Sequence, residues 1–287
     1  MPHKPFIRTL RAQWLGQQLR ELREQRGMTL KLVSEHLQRD MSALGRYERA
    51  EWPIRRGDVV ALLDLYGFHE AGERDRLLRL AEEVWRTDRW DEDYGDVVDA
   101  SFIDFPWLES KAEQVCSYHA MLVPGLFQLR EYAELVIRCV EGPKATEEKV
   151  LRWVDLRMQR QHVLDDRSNT KVESIIDESA LRRQVGSATV MRAQLDHIVQ
   201  LMQHPNVQVR VLPSRVVLHP GVDGSFWLFK MPEPYPAVGY LENLAGQLYV
   251  ESPKSKRFVD TYDRLREAAL DPRESAKLIG TIAEELQ

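Results

Sequence analysis

The sequence predicts an α+β protein in two parts, an all-α N-terminal domain followed by a mixed helix-and-sheet C-terminal domain. Three observations carry this expectation. As far as Trp85 the apolar residues recur at helical spacing. An acidic stretch, residues 88–104, then holds seven Asp or Glu against one Arg. Beyond Trp107, alternating segments such as Val207, Val209 and Val211 stand among further amphipathic helices. The expected divisions are 1–87, a connecting segment 88–106, and 107–287.

The first helix, residues 14–26, is amphipathic on Leu15, Leu19 and Leu22, and Gly27 stops it. Thr29 caps a second helix, Leu30–Leu37, with Val33, Leu37 and the small Ser34 on one face. Gln38-Arg39-Asp40 is a polar turn, and Asp40 caps a third helix, 41–50, whose inward residues are Leu44 and Tyr47. Asp58 is the expected cap of a fourth helix carrying Val59, Leu62, Leu63 and Tyr66, which Gly67 ends. A fifth, 70–85, buries Leu77, Leu78, Leu80 and Ala81.

Charge separates the two parts. The 287 residues carry a net charge of −5, yet residues 1–57 hold twelve Lys or Arg against six Asp or Glu. The basic end suits a polyanionic partner, and an ordinary solvated helical surface is the alternative. No run of 18 apolar residues suggests a membrane helix. The first ten residues lack a signal-peptide core, so a cytoplasmic protein is expected. Cys116 and Cys139 are read as two buried thiols, with no disulfide framework and no metal site. No cofactor is expected.

Short helices joined by a three-residue turn, with a basic outer face, form a helix-turn-helix. Residues 19–29 (LRELREQRGMT), 45–49 (GRYER) and Pro53 resemble the Xre, phage-repressor-like, family of regulators. That resemblance places the third helix in the major groove of double-stranded DNA. Met41, Ser42 and Arg46 would face base edges there, with Ala43 near them. Arg46 is the best single reader, because a guanidinium bonds both acceptors of a guanine. The resemblance also pairs Arg23 with Glu48, tying helix one to helix three, and implies a homodimer. The chain departs from the family at three positions: Leu30 where a phosphate-binding Gln is usual, Gln38 at the turn glycine, and Ala50 at the glycine after the third helix. Arg39, Arg49, Arg55 and Arg56 would then supply the phosphate contacts.

In the second part, residues 111–118 are expected to be helical, followed by a turn at Val123-Pro124-Gly125. Tyr132, Ala133, Val136 and Ile137 mark a strong amphipathic helix. The next helix, within 146–164, shows a basic face, Arg152, Arg157 and Arg160, continued by Arg167, whose default reading is solvated. Strands are expected at 172–176, 207–211, 225–230, 237–241 and 247–250. Asp177 and Ser187 cap two helices between the first two strands, and helices at 254–269 and 273–286 close the chain. The acidic stretch is read as a connection packing on one or both domains, or alternatively as a surface loop or a shield over the basic helices.

The segments VPGLFQ (123–128), DESALRR (177–183), VRVLP (209–213), HPG (219–221), GSF (224–226) and YLE (240–242) resemble a second domain of actinobacterial Xre-type regulators, the WhiJ-like and antitoxin-like ones. The resemblance implies regulation, and a small protein encoded by a neighbouring gene as partner. No phosphate loop, HExxH or GxSxG motif is present, so an enzyme is not expected. A concave ligand or partner site would draw on Glu178, Arg182, His219, Phe226, Trp227 and Glu242. Two functions stand open: a DNA-binding transcriptional regulator controlled through its C-terminal domain, and an antitoxin-like adaptor with DNA binding secondary.

Overall fold

The computed structural model describes residues 6–85, 102–165 and 168–286, and it divides into two units, Met1–Asp104 and Phe105–Gln287. Most of the acidic stretch, residues 88–101, and Arg167 lie outside the described residues. The architecture is α+β, a helical unit followed by one with a six-stranded mixed sheet.

The first unit holds α1 (Leu10–Gln25), α2 (Leu30–Leu37), α3 (Met41–Glu48), α4 (Arg56–Leu65) and α5 (Ala71–Trp85). Three caps set the first three starts. The Thr9 hydroxyl accepts from Ala12 N at 3.3 Å, Thr29 from Leu32 N at 3.2 Å, and Asp40 Oδ1 from Ser42 N at 2.6 Å. α1 therefore begins a turn earlier than its leucine pattern suggests, and that extra turn buries Leu10 and Ala12. Asp58 does not cap α4. Arg55 is the N-cap, with no side-chain bond, and Asp58 sits in the first turn, held by Arg39 at 2.8 Å. Leu15, Leu19, Val33, Leu44, Leu63 and Tyr66 are buried and form the centre of this unit.

In the second unit, α6 (Asp104–Lys111) leads to β1 (Gln114–His119). The expected helix at 111–118 is thus a correction: most of it is a strand. Its last five residues are all buried, so no alternation betrays it, as is usual for a strand covered on both faces. A 3-10 turn (Gly125–Phe127), α7 (Arg130–Glu141) and α8 (Glu147–Arg160) lead to β2 (Lys171–Asp177). Next come α9 (Glu178–Arg182), α10 (Ala188–Leu201), β3 (Val207–Leu212), β4 (Phe226–Lys230), β5 (Val238–Asn243), β6 (Gly246–Val250), α11 (Lys256–Ala268) and α12 (Pro272–Glu285). Asp177 and Ser187 cap α9 and α10, accepting from Ser179 N at 2.9 Å and Val190 N at 3.2 Å.

The sheet order is β3-β2-β1-β4-β5-β6. β1, β2 and β3 run parallel, and β4, β5 and β6 are antiparallel to their neighbours. The chain steps outward from β1 to β3, then returns to the other side of β1 as β4. That reversal sets the amino end of β4 beside the carboxyl end of β1, where Tyr118 pairs with Phe226. On one face α11 packs Tyr262 and Leu265 against Cys116, Tyr118, Ile175 and Leu228. On the other, Phe105 meets Trp227, Phe229 and Tyr240 edge-on, with ring centroids 4.6–5.6 Å apart.

Two expectations fail here for reasons of packing. Arg157 and Arg160 do not lie on a solvated face. Arg157 donates to Gln128 Oε1 at 2.8 Å, and Arg160 grips the buried Glu109 through two bonds of 2.8 and 2.7 Å. Gln128, just after the 3-10 turn, and Glu109 of α6 thus take up these two arginines of α8. Of the two cysteines, Cys116 is buried but Cys139 is exposed, on the outer side of α7.

His119 ends β1, 6% exposed, with its ring edge-on to Trp227 at 4.8 Å. Burial pushes its pKa down from 6.5 to about 3. A neutral native histidine contributes stability above the unfolded-state pKa, and that contribution is lost as pH falls through the window from 6.5 toward about 3. The slope is about 1.4 kcal/mol per pH unit within the window. Denaturant unfolding at pH 7 and at about pH 5 should therefore show a smaller loss of stability for His119→Gln than for the parent chain. Equal losses would mean that His119 takes up its proton without unfolding.

Candidate nucleic-acid interface

The helix-turn-helix of α2 and α3 is held against α1 by one buried ion pair. Arg23, at the end of α1, donates from Nε to Glu48 Oε1 at 2.6 Å and from Nη2 to Glu48 Oε2 at 2.9 Å. Both side chains are 9% exposed. Arg23 Nη1 also donates to the carbonyl of Met28 at 2.8 Å, so the same guanidinium fixes the turn into α2. The bonds to Glu48 raise the pKa of Arg23 further against the cost of burial. Close approach makes the pair possible. A Cβ on Gly16 would lie 2.7 Å from the carbonyl oxygens of both Tyr47 and Glu48, so only glycine lets α1 sit against the end of α3.

Gln38 and Ala50 both adopt φ of 51°. These two positions keep the left-handed backbone although neither is glycine, at a cost on the order of 1 kcal/mol each. Gln38 ends α2 and sends the chain into the Asp40 cap. Ala50 ends α3: its N–H reaches Tyr47 O at 3.0 Å, and the N–H of Glu51 reaches Arg46 O at 2.8 Å. After this turn the exposed Trp52 comes back to the Arg46 side chain. The Arg46 guanidinium lies over the Trp52 ring, 4.4 Å from its centroid, a cation–π contact. No sequence pattern announced Trp52, which stands outside every helix.

On the outer side of α3, Met41 and Ser42 are exposed and Ala43 is half-buried, one turn before Arg46. The other four basic residues are occupied. Arg39 pairs with Asp58 at 2.8 Å, Arg49 with Glu51 at 2.8 Å and Arg56 with Glu82 at 2.7 Å, while Arg55 approaches the Trp85 ring at 5.9 Å. All four arginines are exposed. Pairs of this kind contribute about 0–1 kcal/mol, so a phosphate could displace the carboxylates at little cost.

The six residues singled out in the second unit do not form one site, although His219 and Phe226 both pack on Tyr118. Glu178 and Arg182 pair at 2.7 Å, Glu178 also accepts from Ser214 N at 2.9 Å, and Arg182 reaches Glu285 at 2.6 Å. His219 Nδ1 accepts from Gly221 N at 3.2 Å, and its ring stands edge-on to Tyr118. Phe226 and Trp227 are neighbours on β4 and so point to opposite faces, Phe226 toward α11. Glu242 is exposed on β5.

Residues 14–77 match a family model described as a helix-turn-helix domain, and residues 102–281 match a domain of unknown function, DUF5753. Neither a curated protein nor a solved structure matches the chain. Among the described residues no helix is long and apolar enough to cross a membrane. The first unit is thus a helix-turn-helix of the kind that binds DNA.

The Arg23–Glu48 pair should show strong coupling. Removing one partner strands a buried charge and should destabilise the first unit by about 3–5 kcal/mol. Arg23→Met with Glu48→Gln should cost less than the two single changes summed, by about 1–3 kcal/mol. A double-mutant cycle in denaturant unfolding that closes additively would show the pair to be energetically idle.

Proposed function

The chain belongs to the DUF5753 family and carries a helix-turn-helix domain ahead of that domain, and on this premise we propose that it is a sequence-specific transcriptional regulator of the Xre type. Its second unit, in the manner of the WhiJ-like and antitoxin-like regulators, acts as the control domain. The observation that supports this best is the pose of Arg46: a half-buried arginine on the second helix of the motif, one turn after the exposed Met41 and Ser42, with its guanidinium resting on the Trp52 ring. In the major groove it would read a guanine, with Met41, Ser42 and Ala43 against neighbouring base edges. Arg39, Arg49, Arg55 and Arg56 would contact phosphates after exchanging their present partners. A homodimer on a two-part site matches the usual use of this motif. The second unit has a core and sheet of its own, and it would answer to a small protein encoded nearby, shifting DNA occupancy only if that protein prefers one state.

Fluorescence anisotropy on the chain's own promoter, at two salt concentrations, tests the reading. Binding should weaken steeply with salt as phosphate contacts release counterions. Arg46→Ala should lose about 1–3 kcal/mol on the cognate site and far less on random duplex. Arg55→Ala and Arg56→Ala should weaken both duplexes alike. An equal loss on both duplexes for Arg46→Ala would remove its base-reading role, and salt-insensitive binding would remove the DNA reading itself.

A further inference from the structure

A small cavity of about 190 Å³ opens in the second unit beside the carboxyl end of β1. Its apolar lining is Pro220, Phe226, Leu241 and Phe258, with Thr261 supplying a hydroxyl. Phe226, at the amino end of β4, pairs with Tyr118 near the carboxyl end of β1, the end of the parallel strands. The pocket is built by close packing. A Cβ on Gly239 would lie 2.7 Å from the Phe258 ring, so the absence of a side chain on β5 lets that ring lie against the sheet. Phe226 and Phe258 meet edge-on, with centroids 5.6 Å apart.

The charges stand at the mouth. Arg257 Nη2 donates to Asp223 Oδ2 at 3.2 Å, and the two side chains are 82% and 80% exposed. An ion pair this exposed is weak and exchangeable. Apolar walls with an available guanidinium at the rim match a molecule with a compact apolar body and one carboxylate. Asp223 offers a place for an ammonium as well, so a free acid and an amino acid share the required chemistry.

We propose that this cavity binds a small aryl or branched-alkyl carboxylate, apolar body inward against the edge-on pair Phe226 and Phe258 and carboxylate on Arg257, as the chemical input of the control domain. The inference rests on reading the second unit as the control domain. The probes are phenylacetate, phenylalanine and the neutral phenylacetamide, titrated into the full chain and followed by calorimetry and by the methyl resonances of Leu241 and Thr261. At least one carboxylate should bind and move those methyls, with phenylacetamide at least tenfold weaker. Arg257→Gln should erase that difference. Asp223→Asn should tighten phenylacetate by freeing Arg257 and weaken phenylalanine by removing its ammonium partner, which tells the two sources apart. Thr261→Trp should fill the cavity and abolish binding.

No binding of either carboxylate at millimolar concentration would overturn the site. So would an affinity that Arg257→Gln leaves unchanged, or shifts confined to other methyls. The same titration with promoter DNA present separates the two claims: a bound carboxylate that leaves DNA affinity unaltered keeps the cavity as a site and removes its role in control.

Discussion

The first unit depends on Arg23 lying buried beside Glu48. One guanidinium spends its donors on the last residue of α3 and on the carbonyl of Met28, at the turn into α2. One side chain therefore ties parts of three helices together, over the apolar centre that they share. Burying charge is costly, and the arrangement is stable only because the carboxylate is bound through both oxygens. Gly16 is the steric half of the same constraint, since any larger residue would push α3 away and open the pair to water.

The outer surface follows a different rule. Inside, arginine and carboxylate are locked together. Outside, Arg39, Arg49 and Arg56 rest on Asp58, Glu51 and Glu82 in contacts that solvent screens. The excess of positive charge in the first 57 residues is thus partly masked by near neighbours until a denser anion replaces them. Arg46 and Arg55 differ, because each lies against an indole face, Trp52 and Trp85, which attracts a cation without neutralising it, and Arg46 is the closer of the two.

Much of this was legible where the signal is local. The hydroxyl and carboxylate caps at Thr29, Asp40, Asp177 and Ser187 need only the next two or three residues, and each stands at the expected start. The likeness to known regulators indicated the Arg23–Glu48 pair. What failed to show were features decided by distant partners. β1 is covered on both faces, so its composition suits a buried helix equally well. Arg157 and Arg160 look like a solvated stripe until Gln128 and Glu109 are folded against them. Of the six second-unit residues only His219 and Phe226 share a place, both against Tyr118, because neighbouring strand positions face opposite layers and Glu178 and Arg182 pair elsewhere. The cavity by Phe258 is formed by glycine on one strand and an aromatic on a helix, a complementarity that no spacing in the chain records.

The left-handed turn at Ala50 has a consequence for how tightly a base could be held. Turning the chain there costs backbone strain, and it sets Trp52 where the Arg46 guanidinium can rest. A free arginine side chain carries about 2 kcal/mol of rotamer entropy, which binding must ordinarily remove. Stacked on the indole, Arg46 gives up part of that freedom when the domain folds, before any DNA is present. Strain at one residue is thereby converted into order at another, and the side chain proposed to choose the sequence is already partly ordered before any duplex arrives.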